Sequence, residues 1–196
     1  AGFACHFEAI WESEADRAGA CSNDVVAFTP SSHPFKRIRN ELRAAKRSVD
    51  VLMHHLVFGK LVKELAAAAE RGVAVRVVVN VADRQEHSGG AWDRLLAAGG
   101  RVRFKDNNAD AYQLMHHKLV VIDDALLING SGNWSGSAFF NNYENYVRYA
   151  DPVVVGRFVD LFHRLWTWSR SGASLDRGLT AAQAHAQEHG VFFGNL

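Results

Sequence analysis

Strand-like and helix-like segments alternate along most of this chain, which predicts an α/β fold built on a mixed sheet. Short β-branched runs such as "VDVLMHHLV" and "VAVRVVVNV" are separated by segments with apolar residues at helical spacing, the pattern of a strand–helix–strand crossover. Two further runs, "HKLVVID" and "ALLING", flank the Asp123-Asp124 turn and read as adjacent strands. The 196 residues fit one domain of ordinary size, and 48% hydrophobic with 22% charged residues is the composition of a folded globular chain, not a disordered one.

Taken in order, "SSHPFKRIRNELRAAKRS" reads as a helix, with Ser32 as its cap, Pro34 in the first turn, and Phe35, Ile38 and Leu42 on one stripe. "VDVLMHHLV" follows as a buried strand, then the helix "GKLVKELAAAAERG" closed by Gly72, then the strand "VAVRVVVNV". A short helix spans Trp92 to Ala98 and stops at Gly99-Gly100; "RVRFKD" makes another strand, and "YENYVRYA" the last one. After Asp151-Pro152, "VVVGRFVDLFHRLWTWS" has large apolar residues at helical spacing, and residues 172–196 read as a C-terminal extension.

One internal echo bears on domain organisation. "HFEAIWES" (6–13) resembles "LFHRLWTW" (161–168), with Phe7 matching Phe162, Ile10 matching Leu165 and Trp11 matching Trp166. Two readings stand: two amphipathic helices share an aromatic stripe by coincidence, or residues 1–24 are the last helix of a preceding, similar lobe. The expected division is an extension over 1–24, a catalytic domain over 25–171 and a second extension over 172–196.

A net charge of +1 with ten histidines gives no general pull toward polyanions, so nucleic-acid affinity would need a local patch. No apolar run is long enough to cross a membrane, so the expectation is a soluble protein. The chain opens on alanine and without the basic-then-apolar order of a signal peptide, which leaves its localisation open and a trimmed product as one reading. Cys5 and Cys21 are two thiols or one disulfide, the latter implying a secreted or periplasmic setting. Cys5, His6, Cys21 and His33 lack any short Cys-x-x-Cys pair, and no metal is expected.

The segment "MHHKLVVIDDALLINGSGNWS" (115–135) carries the chemistry. Side chains two apart on a strand share a face, so His116 and Lys118 point together and His117 does not. An imidazole beside an ammonium suits attack on a phosphodiester: the imidazole is the nucleophile, and the ammonium neutralises charge building on phosphorus. Ser131 and Asn133 follow on a turn whose Gly130 and Gly132 permit close approach to phosphate oxygens. Glu144 is expected to accept a hydrogen bond from the far nitrogen of His116 and so fix its tautomer.

At these positions the chain resembles the phospholipase D superfamily, whose signature of His-x-Lys, Asp, then Gly-Ser and Asn reads here as His116, Lys118, Asp123, Gly130, Ser131 and Asn133. Within it the chain is most similar to the compact single-motif nucleases, from about Val25, where "VVAFTPSSH" matches a strand ending in a proline turn, through Trp168. The resemblance implies a phospholipase D-like mixed β-sheet flanked by helices on both faces. It also implies a phosphohistidine intermediate on His116, phosphate gripped by Lys118 and Asn133 with help from Ser131, and Asp123 in a structural role. Neither metal nor cofactor is implied. The chemistry needs a second histidine to protonate the leaving oxygen, so a chain with one motif is expected to work as a homodimer or beside a missing N-terminal lobe.

The expected function is a metal-independent nuclease acting on single-stranded DNA or RNA. A phospholipase or phosphatidyl transferase is the rival, because the motif recognises a phosphodiester and not what is esterified to it. A scaffold without turnover is a third class, opposed by the intact His116, Lys118, Ser131, Asn133 and Glu144. His54 and His55 sit at the carboxyl edge of a strand, where one lines the groove or both are structural histidines, and both stay outside the catalytic set. Lys36, Arg37, Arg39, Arg43, Lys46 and Arg47 read as a solvated helix face rather than a phosphate-tracking stripe. Trp92, Phe104 and Tyr146 read as core, with Tyr143 the exception beside Glu144.

Overall fold

A computed structural model describes residues 2–12, 20–80, 90–105 and 114–171 of the chain. In chain order its elements are α1 (Gly2–Trp11), β1 (Val26–Phe28), α2 (Pro34–Ala44), β2 (Ser48–Met53), α3 (Gly59–Glu70), β3 (Ala74–Asn80) and α4 (Ala91–Ala97). There follow β4 (Arg101–Lys105), β5 (Lys118–Ile122), β6 (Leu126–Gly130), α5 (Gly136–Phe140), β7 (Asn145–Tyr149), α6 (Pro152–Trp168) and β8 (Arg170–Ser171). The strands form one sheet in the order β1-β7-β6-β5-β2-β3-β4-β8. β2, β3 and β4 run parallel, and the remaining neighbours pair antiparallel, so the sheet is mixed as expected.

Helices bury both faces. Ile38 and Leu42 of α2, Leu61 and Leu65 of α3 and Leu95 of α4 share a core with Val49, Val51, Val77, Val79 and Val120. On the other face, Val155 and Phe162 of α6 pack on Leu52, Val78, Leu119 and Val121. Adjacent β2 residues thus enter opposite cores, which is why that strand is apolar at nearly every position instead of alternating. Its buried polar residue, Asp50, is held by Arg76 Nε and Nη2 at 2.7 and 2.6 Å, and the Arg76 guanidinium lies 4.8 Å from the Phe162 ring centre. Burial raises the Asp50 carboxyl's pKa and Arg76 opposes that rise.

Several boundaries differ from the expected ones. The strand expected over "VDVLMHHLV" ends at Met53, so His54 and His55 lie beyond it. β5 starts at Lys118, leaving His116 and His117 in the segment that enters it. Ser32 does not cap α2: the N-cap is His33, and the Ser32 hydroxyl donates to the Phe28 carbonyl at 2.5 Å instead. Asp151 does cap α6, its carboxylate accepting from the amides of Val153 and Val154 at 2.9 Å each. The short helix α5 and the edge strand β8 had no expected counterpart. Residues 13, 81, 106 and 172–196, which carry the ends of three expected segments and the C-terminal extension, lie outside the described residues.

Cys5 and Cys21 form a disulfide, which takes both sulfurs out of any thiolate ligand set. It ties α1 to the β1 edge, where the His6 ring stacks on Phe28 with centroids 3.9 Å apart. The opposite side of α1 is open: Phe7 is 65% exposed and Trp11 79%, while their counterparts in the echo, Phe162 and Trp166, pack on the sheet. On α2, Arg43 pairs with Glu64 and Arg37 donates to the Asn23 carbonyl, while Glu41 reaches across to Arg148. These partners fit a solvated helix face more than a phosphate stripe.

Candidate active site

The strand register assembles one edge of the sheet. Met53 lies opposite Lys118, Leu119 opposite Asn129, Gly130 opposite Tyr146, and Phe28 opposite Asn145. The residues just outside those pairs therefore converge there: His54 after β2, His116 before β5, Ser131 after β6, Glu144 before β7 and Thr29 after β1. The parallel strands β2, β3 and β4 end at this same edge, the side on which ligand sites of open α/β sheets collect.

His116 and Lys118 project together, as the strand alternation requires. The Lys118 ammonium lies 3.2 Å from His116 Nδ1 and 3.4 Å from Nε2, and it donates to the His116 carbonyl at 3.0 Å. Half-burial lowers the Lys118 pKa, and the negative charge of Glu144 pulls it back up. The imidazole is exposed, and the His54 ring stands 4.5 Å away at a tilt of 51°.

Glu144 does not bond His116. Its Oε2 accepts from the Ser131 hydroxyl at 2.5 Å and its Oε1 from the Asn142 amide at 3.3 Å, so the expected carboxylate–imidazole pair is replaced by a carboxylate–hydroxyl pair. The physical reason lies in those two competing donors, which occupy both oxygens on a segment entering β7 that is clamped by Thr29, a fully buried residue. Its hydroxyl donates to the Asn142 carbonyl at 2.8 Å and accepts from the Glu144 amide at 3.1 Å, and its own amide donates to the Glu144 carbonyl at 3.0 Å. Ser131 Oγ also accepts from the Asn145 amide at 3.1 Å. Sequence reading missed Thr29, and nothing in its local pattern signals this clamp.

The two glycines also make room for the protein's own neighbours. A Cβ on Gly130 would lie 1.9 Å from the Asn145 carbonyl oxygen, and one on Gly132 would lie 2.0 Å from the Tyr146 hydroxyl. They let β7 and Tyr146 close on the turn. Tyr146 is buried, which raises its phenol pKa, and its hydroxyl donates to the Asn133 carbonyl at 3.4 Å. The Asn133 side-chain oxygen is buried without a hydrogen-bond partner among the described residues.

Asp123 lies at the other end of β5. Its carboxylate accepts from the amides of Lys46, Arg47 and Ser48 at 2.9, 2.7 and 3.0 Å. Those backbone donors hold its pKa below the usual carboxylate range, although burial alone would raise it. The Arg47 side chain donates to the Asp123 carbonyl. Both Asp123 and Asp124 adopt positive φ, 55° and 52°, the left-handed geometry that acidic turn residues tolerate. Asp123 thus ties the α2–β2 junction to the β5–β6 hairpin, far from the imidazole. Trp92, Phe104 and Tyr146 are buried and Tyr143 is 61% exposed, in line with expectation.

Comparison with known proteins places these features. Residues 38–166 match the family model described as "Cardiolipin synthase, PLD-like domain". The chain is similar to the mitochondrial cardiolipin hydrolases of Chlamydomonas reinhardtii (29% identity, covering 76% of this chain and 65% of that protein) and Homo sapiens (33%, 66% and 50%). It therefore spans between half and just under two thirds of the length of these two relatives. Two solved structures share its fold. Nuc of Salmonella typhimurium, a phospholipase D family member, has a TM-score of 0.64 at 22% identity, covering 74% of this chain and 95% of its own. NucT of Helicobacter pylori has a TM-score of 0.65 at 18% identity, covering 74% and 96%.

Proposed function

We propose, from the premise that this chain belongs to the phospholipase D-like family, that it is a metal-independent phosphodiesterase cleaving nucleic acid through His116. The observation that carries this reading is the Lys118 ammonium 3.2 Å from the His116 imidazole on an exposed sheet edge. A ring nitrogen of neutral His116 attacks phosphorus, a P–N bond forms, and the P–O bond to the leaving oxygen breaks. An acid protonates that oxygen. Water then attacks phosphorus, the P–N bond breaks, and the water's proton passes to the conjugate base. Lys118 offsets the charge on the phosphoryl oxygens at both steps. Asn133 adds an amide donor, and Ser131 joins it once its hydroxyl turns from Glu144 to a phosphoryl oxygen.

The donor set is poor for a divalent cation. Glu144 is the carboxylate of this cluster among the described residues, both its oxygens are engaged by Ser131 and Asn142, and it interacts electrostatically with the Lys118 ammonium. The acid and base for the leaving oxygen and water come, in this reading, from a second His116-type histidine in a paired unit. The uncovered stripe of Phe7, Ile10 and Trp11 on α1 supports such pairing, and supports residues 1–24 as the last helix of another lobe. Residues 25–171 would then be one catalytic unit. Sedimentation of the active protein tests this: a strict monomer with full activity contradicts pairing.

The relatives' name, mitochondrial cardiolipin hydrolase, favours a second reading in which the diester is that of a phospholipid. Labelled single-stranded DNA, single-stranded RNA, duplex DNA and cardiolipin vesicles, each offered in excess EDTA to wild type and His116→Asn, separate the two. Nucleic-acid cleavage by wild type alone is the expected result. Lipid turnover alone would replace it with the phospholipid reading, and silence on all four substrates would favour a scaffold.

A further inference from the structure

We infer that His54 is a positioning residue for His116, a ring wall that holds the nucleophile's imidazole in its attacking orientation. The inference rests on the reading of His116 as nucleophile. Histidine on an exposed edge has two free side-chain torsions, and a nucleophile displaced by about 1 Å loses on the order of a hundredfold in rate. Something must therefore hold the ring.

The two obvious holders do not do it. Glu144, the carboxylate suited to fixing an imidazole, has both oxygens committed to Ser131 and Asn142. The Lys118 ammonium stands nearly equidistant from the two ring nitrogens, 3.2 and 3.4 Å, so it favours neither and defines the ring plane poorly. The His54 ring, arriving from the end of β2, packs against the imidazole at 4.5 Å between centroids. Its placement is fixed by the backbone, since the His54 amide donates to the His117 carbonyl at 2.8 Å. That bond extends the β2–β5 ladder past Met53 and Lys118, so the two rings are brought face to tilt by the sheet itself.

The role needs an aromatic surface and not a titrating group, which separates a wall from a proton donor. His54→Ala should lower kcat about ten- to a hundredfold with KM within about threefold, whereas His54→Phe should keep kcat within about threefold of wild type. Three-bond couplings about χ1 of His116, its resonances assigned by their loss in His116→Asn, supply a readout that does not need turnover. A single rotamer is expected in wild type and His54→Phe, and averaging in His54→Ala. An unchanged rotamer in His54→Ala, unchanged kcat in it, or loss of activity in His54→Phe equal to that in His54→Ala would each overturn the inference. If wild type cleaves no phosphodiester, the functional reading fails by itself and the couplings alone decide the wall.

Discussion

At the Asp123 end of the β5–β6 hairpin, an aspartate carboxylate accepts from three backbone amides; at the His116 end, roughly 23 Å away by strand rise, an exposed imidazole stands beside a half-buried ammonium. Both ends belong to one sequence motif. The saturated end has nothing left to offer a substrate and much to offer the fold, because it joins the α2–β2 junction to the hairpin. The open end has donors, a nucleophile and charge with few protein partners. A signature of adjacent polar residues therefore divides into a structural half and a chemical half according to which backbone groups the register brings to each.

Mutation should break the two ends differently. His116→Asn is expected to lower the cleavage rate by roughly a thousandfold or more while leaving the thermal midpoint nearly unchanged, because an exposed ring is removed from an open edge. Lys118→Ala should follow with a loss on the order of a hundredfold, read as kcat against KM, since charge on phosphorus then goes unanswered. Ser131→Ala should cost about tenfold in kcat, measured by steady-state kinetics, as the Glu144 carboxylate loses one of its two partners.

Asp123→Ala should reverse the pattern. Stability should fall by about 1–3 kcal/mol in denaturant unfolding, as three amides lose their acceptor, with activity per folded molecule within about threefold of wild type. The pH dependence has a definite sign. Asp123 has a depressed pKa in the folded state, so its contribution is fully present above the unfolded carboxylate's value near about 4 and is lost as pH falls through the lower folded value. The gap in stability between wild type and Asp123→Asn should accordingly shrink as the pH drops below about 4. An Asp123 variant that is stable but inactive would undo the division between the two ends.

Much of this could be read from the chain alone. The two-residue period put His116 and Lys118 on one side even though His116 precedes the strand, because the extended backbone continues through the His54–His117 bond. The mixed sheet followed from the crossover and the hairpin. What escaped was set by partners distant in sequence. Glu144 bonds Ser131 rather than His116, on a segment clamped by Thr29, 115 residues away, and Gly130 and Gly132 make room for Asn145 and Tyr146 as well. His54 did leave a signal, its place at a strand's carboxyl edge, but its neighbour could be named only once the β2–β5 register was known. The choice between thiols and a disulfide at Cys5 and Cys21 turned on where α1 docks, which local pattern does not encode.

A covalent bond between His116 and phosphorus is the central step of the proposed reaction. Wild type and His116→Asn, each incubated in EDTA with DNA or RNA radiolabelled so that a covalently held fragment carries the label, can be quenched in alkaline detergent within one turnover and resolved by electrophoresis. Label travelling with the wild-type chain, stable to base, lost in acid as a phosphohistidine bond is, and absent from His116→Asn, is expected. Cleavage at full rate by His116→Asn, or by a wild-type chain that never carries label, would contradict that step.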